Sequence, residues 1–176
     1  MRAAQAGRPK RGRGPSRSDF ALQLREKQRA RILYGVNERQ FSRYVREAVS
    51  KRTMRDDDEL FQTLESRLDN VVYRLGIAST RQASRQMVAH GHLTVNGVRI
   101  TIPSYRVSVG DIIAVRKGSQ SKPLFATLED RIRDHIAPPW VRFDLVKREA
   151  TIVASPKLVR SQLPFNIGAI LEFYRR

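Results

Sequence analysis

Hydrophobic positions recur with a helical period through the first half of the chain and switch to a period of two near its middle. Ser18 can cap a first helix, Asp19 suits its positive end and Gly35 can terminate it, which predicts a helix over 19–34. A second helix is expected from Asn37, whose side chain can cap, with Gln40 three residues on as in a capping box. Phe41, Val45, Ala48 and Val49 fall at i, i+4, i+7 and i+8 as its core stripe, and Arg39, Arg43 and Arg46 keep the same rhythm on another face. Asp56, Asp57, Asp58 and Glu59 fit the start of a helix whose dipole they stabilise. Leu60, Leu64, Leu68, Val71, Val72 and Leu75 then hold one apolar stripe as far as Gly76, in one helix or two abutting ones, with Arg67 and Arg74 together on another face.

Ser79 can cap a further helix through His90, with Ala83 and Met87 inward, Arg81 and Arg85 outward, and Gly91 ending it. After Gly91 the alternation of Leu93 and Val95 with polar residues runs into Asn96-Gly97, a strong hairpin signal, and Val98, Ile100 and Ile102 resume it. Val107 and Val109 precede Gly110-Asp111, and residues 112–115 read as another buried strand. Beyond Gly118 the pattern predicts a helix over 127–137, strands near 140–145 and 150–154, and a short apolar helix over 167–174 capped by Asn166. The fold class is α+β: a helical domain with an inserted small module of two helices packed on a small, mainly antiparallel sheet. The divisions expected are a flexible basic arm (1–18), the first part of the helical domain (19–66), the inserted module (67–117), a mixed extension of it (118–160) and a C-terminal helix (161–176) returning to the helical domain.

Charge changes the picture most. The chain carries 34 Lys and Arg against 17 Asp and Glu, a formal net charge of +17 over 176 residues, which points to a polyanionic partner. Residues 1–55 hold 16 of those cations and only 4 acids, so the first third is the electrostatic anchor. No window approaches the roughly 18 apolar residues of a spanning helix, and no signal-peptide pattern opens the chain, which predicts a soluble intracellular protein. Cysteine is absent, excluding disulfides, thiolate catalysis and any Cys-containing metal site. The arm is rich in Arg and poor in acid, as organelle transit peptides are, but its Gly and Pro spacing would break the amphipathic helix such peptides form.

Candidate RNA-contacting residues follow from the basic rows: Arg8, Lys10, Arg11, Arg13 and Arg17 in the arm, Arg25, Lys27, Arg29 and Arg31 on the first helix, Arg39, Arg43 and Arg46 on the second, then Arg67, Arg74, Arg81, Arg85, His90, His92 and Asn96. Basic residues on successive helices can meet the phosphates of a folded RNA from several angles, and Arg adds a planar fork and a stacking surface. Tyr34, Tyr44 and Tyr105 are candidates for stacking on bases. His90-Gly91-His92 lacks the further ligands a metal site needs, which favours RNA contact or packing; no metal or cofactor is expected. Neither a Gly-x-Ser-x-Gly nor a phosphate-cradling Gly-x-x-x-x-Gly-Lys occurs, which leaves hydrolase and nucleotide-binding readings unsupported.

Several motifs in a fixed order resemble the bacterial small-subunit ribosomal protein four family. They are Ser18-Asp19-Phe20 through Leu24-Arg25-Glu26-Lys27-Gln28, the run from Tyr34-Gly35-Val36-Asn37 to Phe41, and Arg67-Leu68-Asp69-Asn70-Val71-Val72-Tyr73-Arg74-Leu75-Gly76. Thr80-Arg81, His90-Gly91-His92, Val95-Asn96-Gly97 and Ser104-Tyr105-Arg106-Val107 continue the match, which covers most of the chain from Ser18 onward. The resemblance implies a non-enzymatic constituent of cytoplasmic ribosomes that binds the 5′ domain of 16S-type rRNA early in assembly and helps line the mRNA entrance. It also implies contact with the fifth small-subunit protein, where decoding accuracy is affected, and with the third, rather than an isolated homo-oligomer. Against the family's pattern, the usual N-terminal leader, which in many members carries cysteine metal ligands, reads as missing or replaced by the short basic arm, so the resemblance carries over no metal site. Two alternatives stay open. Arg67-Leu68-Asp69 also resembles the catalytic Asp motif of pseudouridine synthases that carry the same module, although there the motif follows the module inside a large catalytic domain. A free-standing RNA chaperone is the other.

Overall fold

The structure, a computed structural model, describes residues 17–51 and 54–175, with side chains from Asp19 onward. Two hydrophobic cores organise it. One lies among α1 (Arg17–Tyr34), α2 (Glu38–Lys51), α3 (Asp56–Glu65) and α7 (Ile167–Tyr174); the other joins α4 (Leu68–Arg74), α5 (Arg81–Ala89) and α6 (Leu128–Asp134) to one face of a five-stranded sheet. The expected α+β class holds. Among the described residues no helix is long and apolar enough to cross a membrane.

The first helix extends to Arg17, so Ser18 lies inside it rather than capping it. Its buried stripe is unusual in composition: Gln23, Glu26, Lys27, Ala30 and Tyr34. These positions meet α7, whose own polar groups answer them. Glu26 accepts the Asn166 backbone N–H at 2.8 Å, and Gln23 donates to Glu172 at 3.1 Å. Asn166 caps α7 by accepting from the Ala169 N–H at 3.1 Å, and Ile167, Ile170 and Leu171 are buried, each contributing about 1.5–3 kcal/mol. Gly35 takes φ +61° between α1 and α2, and Asn37 caps α2 through the Gln40 N–H at 2.8 Å. The core stripe of α2 is Phe41, Tyr44, Val45 and Ala48; Val49, expected inside, is 36% exposed, because the interhelical contact is centred on Tyr44.

The long apolar stripe is two helices. The chain breaks at Ser66-Arg67 because a loop from the sheet takes over the backbone groups: Leu68 N–H donates to Tyr105 O at 2.8 Å, Asp69 N–H to Pro103 O at 3.1 Å, and Val107 N–H to Ser66 O at 2.9 Å. Thr80, not Ser79, caps α5, accepting from the Ala83 N–H at 3.1 Å.

The sheet is antiparallel throughout, in the order β2 (Val98–Ile100), β1 (Leu93–Val95), β3 (Ile112–Val115), β5 (Glu149–Ile152), β4 (Val141–Asp144). Asn96 and Gly97, at φ +50° and +79°, make the predicted tight hairpin. Leu93, Val95, Ile113, Val115, Ala150 and Ile152 face the core. Of the residues that resume the alternation, Val98 on the edge strand β2 is 64% exposed, and Ile102, beyond the end of β2, is 58% exposed. Val107 and Val109 form no strand; an isolated bridge joins Arg106 to Arg67 instead.

Candidate nucleic-acid interface

The cationic rows divide into those turned inward and those left for a partner. Arg67 is fully buried, so its assignment to RNA contact is corrected: it donates to both Asp69 carboxylate oxygens at 3.0 and 2.6 Å and to the Tyr44 hydroxyl at 2.8 Å. Its guanidinium is held above its ordinary pKa: burial opposes the charge, and the Asp69 hydrogen bonds and charge outweigh that. Both Asp69 carboxylate oxygens are thereby engaged. Beside this pair lies a second one. Arg74 forks onto Glu65 at 2.8 and 2.7 Å, and the same carboxylate accepts from the Tyr34 hydroxyl at 2.7 Å and from Asn70 at 2.9 Å. Burial pushes the Tyr34 hydroxyl well up, and for Glu65 the Arg74 bond and charge overcome burial to bring its pKa down. Tyr34 and Tyr44 are consequently packing residues rather than base-stacking ones, being 3% and 1% exposed.

Lys27 is likewise corrected. It is buried beneath α7, 4.3 Å from the centre of the Phe173 ring, and pairs with Glu38 at 3.1 Å. Arg31 takes the other Glu38 oxygen at 2.7 Å. Asn96 is exposed, but its amide is committed to the fold, donating to Asp111 at 2.8 Å and accepting from the Ile112 N–H at 2.9 Å. Arg8, Lys10, Arg11 and Arg13 lie outside the described residues, as does the Arg17 side chain.

What remains outward forms a band across the junction of the two cores. Arg39 and Arg46 on α2 are exposed with no ion-pair or hydrogen-bond partner among the described residues. Arg43 shares Glu47 with Arg106 of the sheet loop, and Arg43 and Arg106 both flank the Tyr44 ring, at 5.9 and 5.2 Å. Arg85 of α5 reaches the Gly35 carbonyl at 3.3 Å and Asp69 at 3.4 Å, and Arg81 lies 4.3 Å from the centre of the Tyr73 ring while donating to Asn70 at 3.0 Å. Burial, then the neighbouring Arg74, lowers the Arg81 pKa. Arg25 and Arg29, exposed on α1, lie near Glu26, and Arg29 also donates to Pro164 O.

A second cluster sits on the module around His90 and His92. His92 is buried, its Nδ1 3.0 Å from the Ser119 hydroxyl, while His90 is exposed. Arg99 lies over Gly91 and donates to His90 O at 3.2 Å; a Cβ at Gly91, whose φ is +69°, would overlap it. Partial loss of water, followed by the charges of Lys122, His90, Arg116 and Arg99, depresses the His92 pKa below its ordinary 6.5. The folded state thus favours neutral His92, so its contribution is intact above about pH 6.5 and is lost as pH falls toward the folded value. The melting temperature is expected to drop between pH 7.5 and 5.5, and His92→Asn should flatten that segment of the profile; an identical slope in the variant would refute it. Glu65 and Glu38, held below 4.5, titrate outside this window. Arg99, Arg106, Arg116 and Lys122 were not among the sequence candidates, since isolated cations on strands and loops carry no helical rhythm.

A family profile described as the Ribosomal protein S4/S9 N-terminal domain matches residues 2–65, and one described as the S4 domain matches 66–113. Small ribosomal subunit protein uS4 of Chloroflexus aurantiacus is 47% identical over 161 residues, covering 90% of this chain and 78% of that protein. The chain belongs to the uS4 family. The uS4 proteins of Acetivibrio thermocellus and Chlorobium phaeovibrioides are 45% and 42% identical over 159 and 165 residues, covering 90% and 94% of this chain and 76% and 81% of theirs. The resemblance read from the sequence is therefore borne out. The boundary between the two matched profiles falls at the α3–α4 break, and the second ends within β3, so β4, β5 and α7 complete the two cores from beyond both.

Proposed function

We propose that this uS4-family chain is a structural, non-catalytic constituent of the small ribosomal subunit that binds rRNA directly through the basic band across its two cores. The observation that carries this reading is that Arg39 and Arg46, beside Arg43, have no partner among the described residues, while Arg106 meets α2 at Glu47 and Arg85 reaches Gly35 from the S4 domain. Cations placed on two rigid units can clamp phosphates of helices meeting at an angle, which is a way to hold an RNA junction in shape. The chain binds the 5′ domain of 16S-type rRNA as a primary protein that nucleates assembly of the body. Its basic arm, with Arg8, Lys10, Arg11, Arg13 and Arg17, faces the mRNA entrance, and the fifth and third small-subunit proteins are its neighbours in the cytoplasmic ribosome. An RNA-modifying role is disfavoured by Asp69, whose carboxylate is occupied by Arg67.

The test is competitive binding to transcripts of the isolated 5′ and 3′ domains of small-subunit rRNA in excess tRNA. Selective retention of the 5′ domain is expected. Equal retention of both would reduce the protein to a general polyanion binder.

A further inference from the structure

At the junction of the two cores, on the side of the 154–162 connection, the structure holds a mainly apolar pocket of about 510 Å³. Phe61 of α3, Pro138, Pro139 and Trp140 supply its walls. Phe61 and Trp140 are each only 8% exposed, so these rings are fixed by the cores behind them. The polar lining includes Arg74, Ser155, Lys157 and Gln162. Glu65 also reaches the pocket, but its carboxylate is consumed by Tyr34, Asn70 and Arg74. Lys157 is exposed with no ion-pair or hydrogen-bond partner among the described residues.

We propose that this pocket receives one unstacked nucleotide of the bound RNA, its base against the Pro138-Pro139-Trp140 wall and a flanking phosphate on Lys157. The inference rests on the rRNA-binding reading above and adds to it a contact that is not electrostatic. A base splayed from a bulge or loop presents two apolar faces and a polar edge, matching flat apolar walls with Gln162 at the rim. An apolar peptide would fill the walls equally well, but the uncompensated Lys157 charge favours a ligand that brings its own anion.

Trp140 is the chain's single tryptophan, so its emission reports directly on the pocket. The full chain is titrated with a 5′-domain rRNA transcript, with an abasic phosphodiester oligomer as charge control and with an apolar peptide. Quenching is expected with the transcript alone. Val159→Phe, which narrows the pocket, should abolish the quench and weaken transcript binding about 10-fold while leaving the salt slope unchanged, as expected for loss of one stacked base. Lys157→Glu, at an exposed position with no fold at risk, should weaken binding and shift the quench to higher RNA concentration. Transcript binding without quenching, quenching by the peptide only, or a wild-type quench in both variants overturns the proposal while leaving rRNA binding in place. Failure to bind the transcript at all overturns both.

Discussion

Arg67→Met is expected to lower the unfolding free energy by about 3–5 kcal/mol, as for removal of one partner from a buried ion pair. The loss comes from what remains rather than from what leaves. Asp69, only 4% exposed, would keep a buried carboxylate with Arg85 at 3.4 Å and one backbone N–H as its support, and Tyr44 would lose its donor. Met retains much of the side-chain volume, so cavity formation contributes little. Arg67→Met/Asp69→Leu removes the stranded charge and should recover part of the loss, with a coupling above about 1 kcal/mol between the two sites. Urea melts of the three proteins supply the cycle. A loss below about 1 kcal/mol for Arg67→Met, or simple additivity, would show that this pair does not hold the two cores together.

Reversal of Arg39, Arg43 and Arg46 to Glu should weaken rRNA binding on the order of 100-fold at moderate salt and leave the fold intact. Each phosphate contact releases counterions, contributing about 0.7–0.9 to the slope of log K against log salt, so losing three flattens it by about 2–3. The three side chains are exposed, and among the described residues only Arg43 pairs with an acid, which it shares with Arg106. Their worth to stability is therefore small. Filter binding across a salt series, with a circular dichroism melt of each protein, separates the effects. Parallel salt plots would mean that this face is merely solvated.

Much of the fold was legible because its punctuation is local. Asn96-Gly97 dictates the hairpin, Asn37 and Asn166 cap their helices, and the rhythm of Arg39, Arg43 and Arg46 opposite Phe41 and Val45 orients α2 correctly. Sequence periodicity finds a face but not what covers it. Arg67 and Lys27 sit in rows indistinguishable from that of Arg39, yet Tyr44 and Asp69 enclose the first and α7 covers the second. The same limit applies to Val98, since alternation marks the side of a strand and says nothing of its position at the sheet edge. Arg106 was missed as a contact candidate for the converse reason: it stands alone in a loop, and only folding sets it beside Glu47, 59 residues away.

A chain that occupies the small subunit through its basic band should lose that place when the band is reversed. Sedimentation of the tagged chain and of the Arg39, Arg43 and Arg46 reversal variant through a sucrose gradient at moderate salt is the test. The wild-type chain should travel with assembled small subunits and the variant should remain at the top. A wild-type chain absent from small subunits, or a variant that travels with them undiminished, would contradict the account.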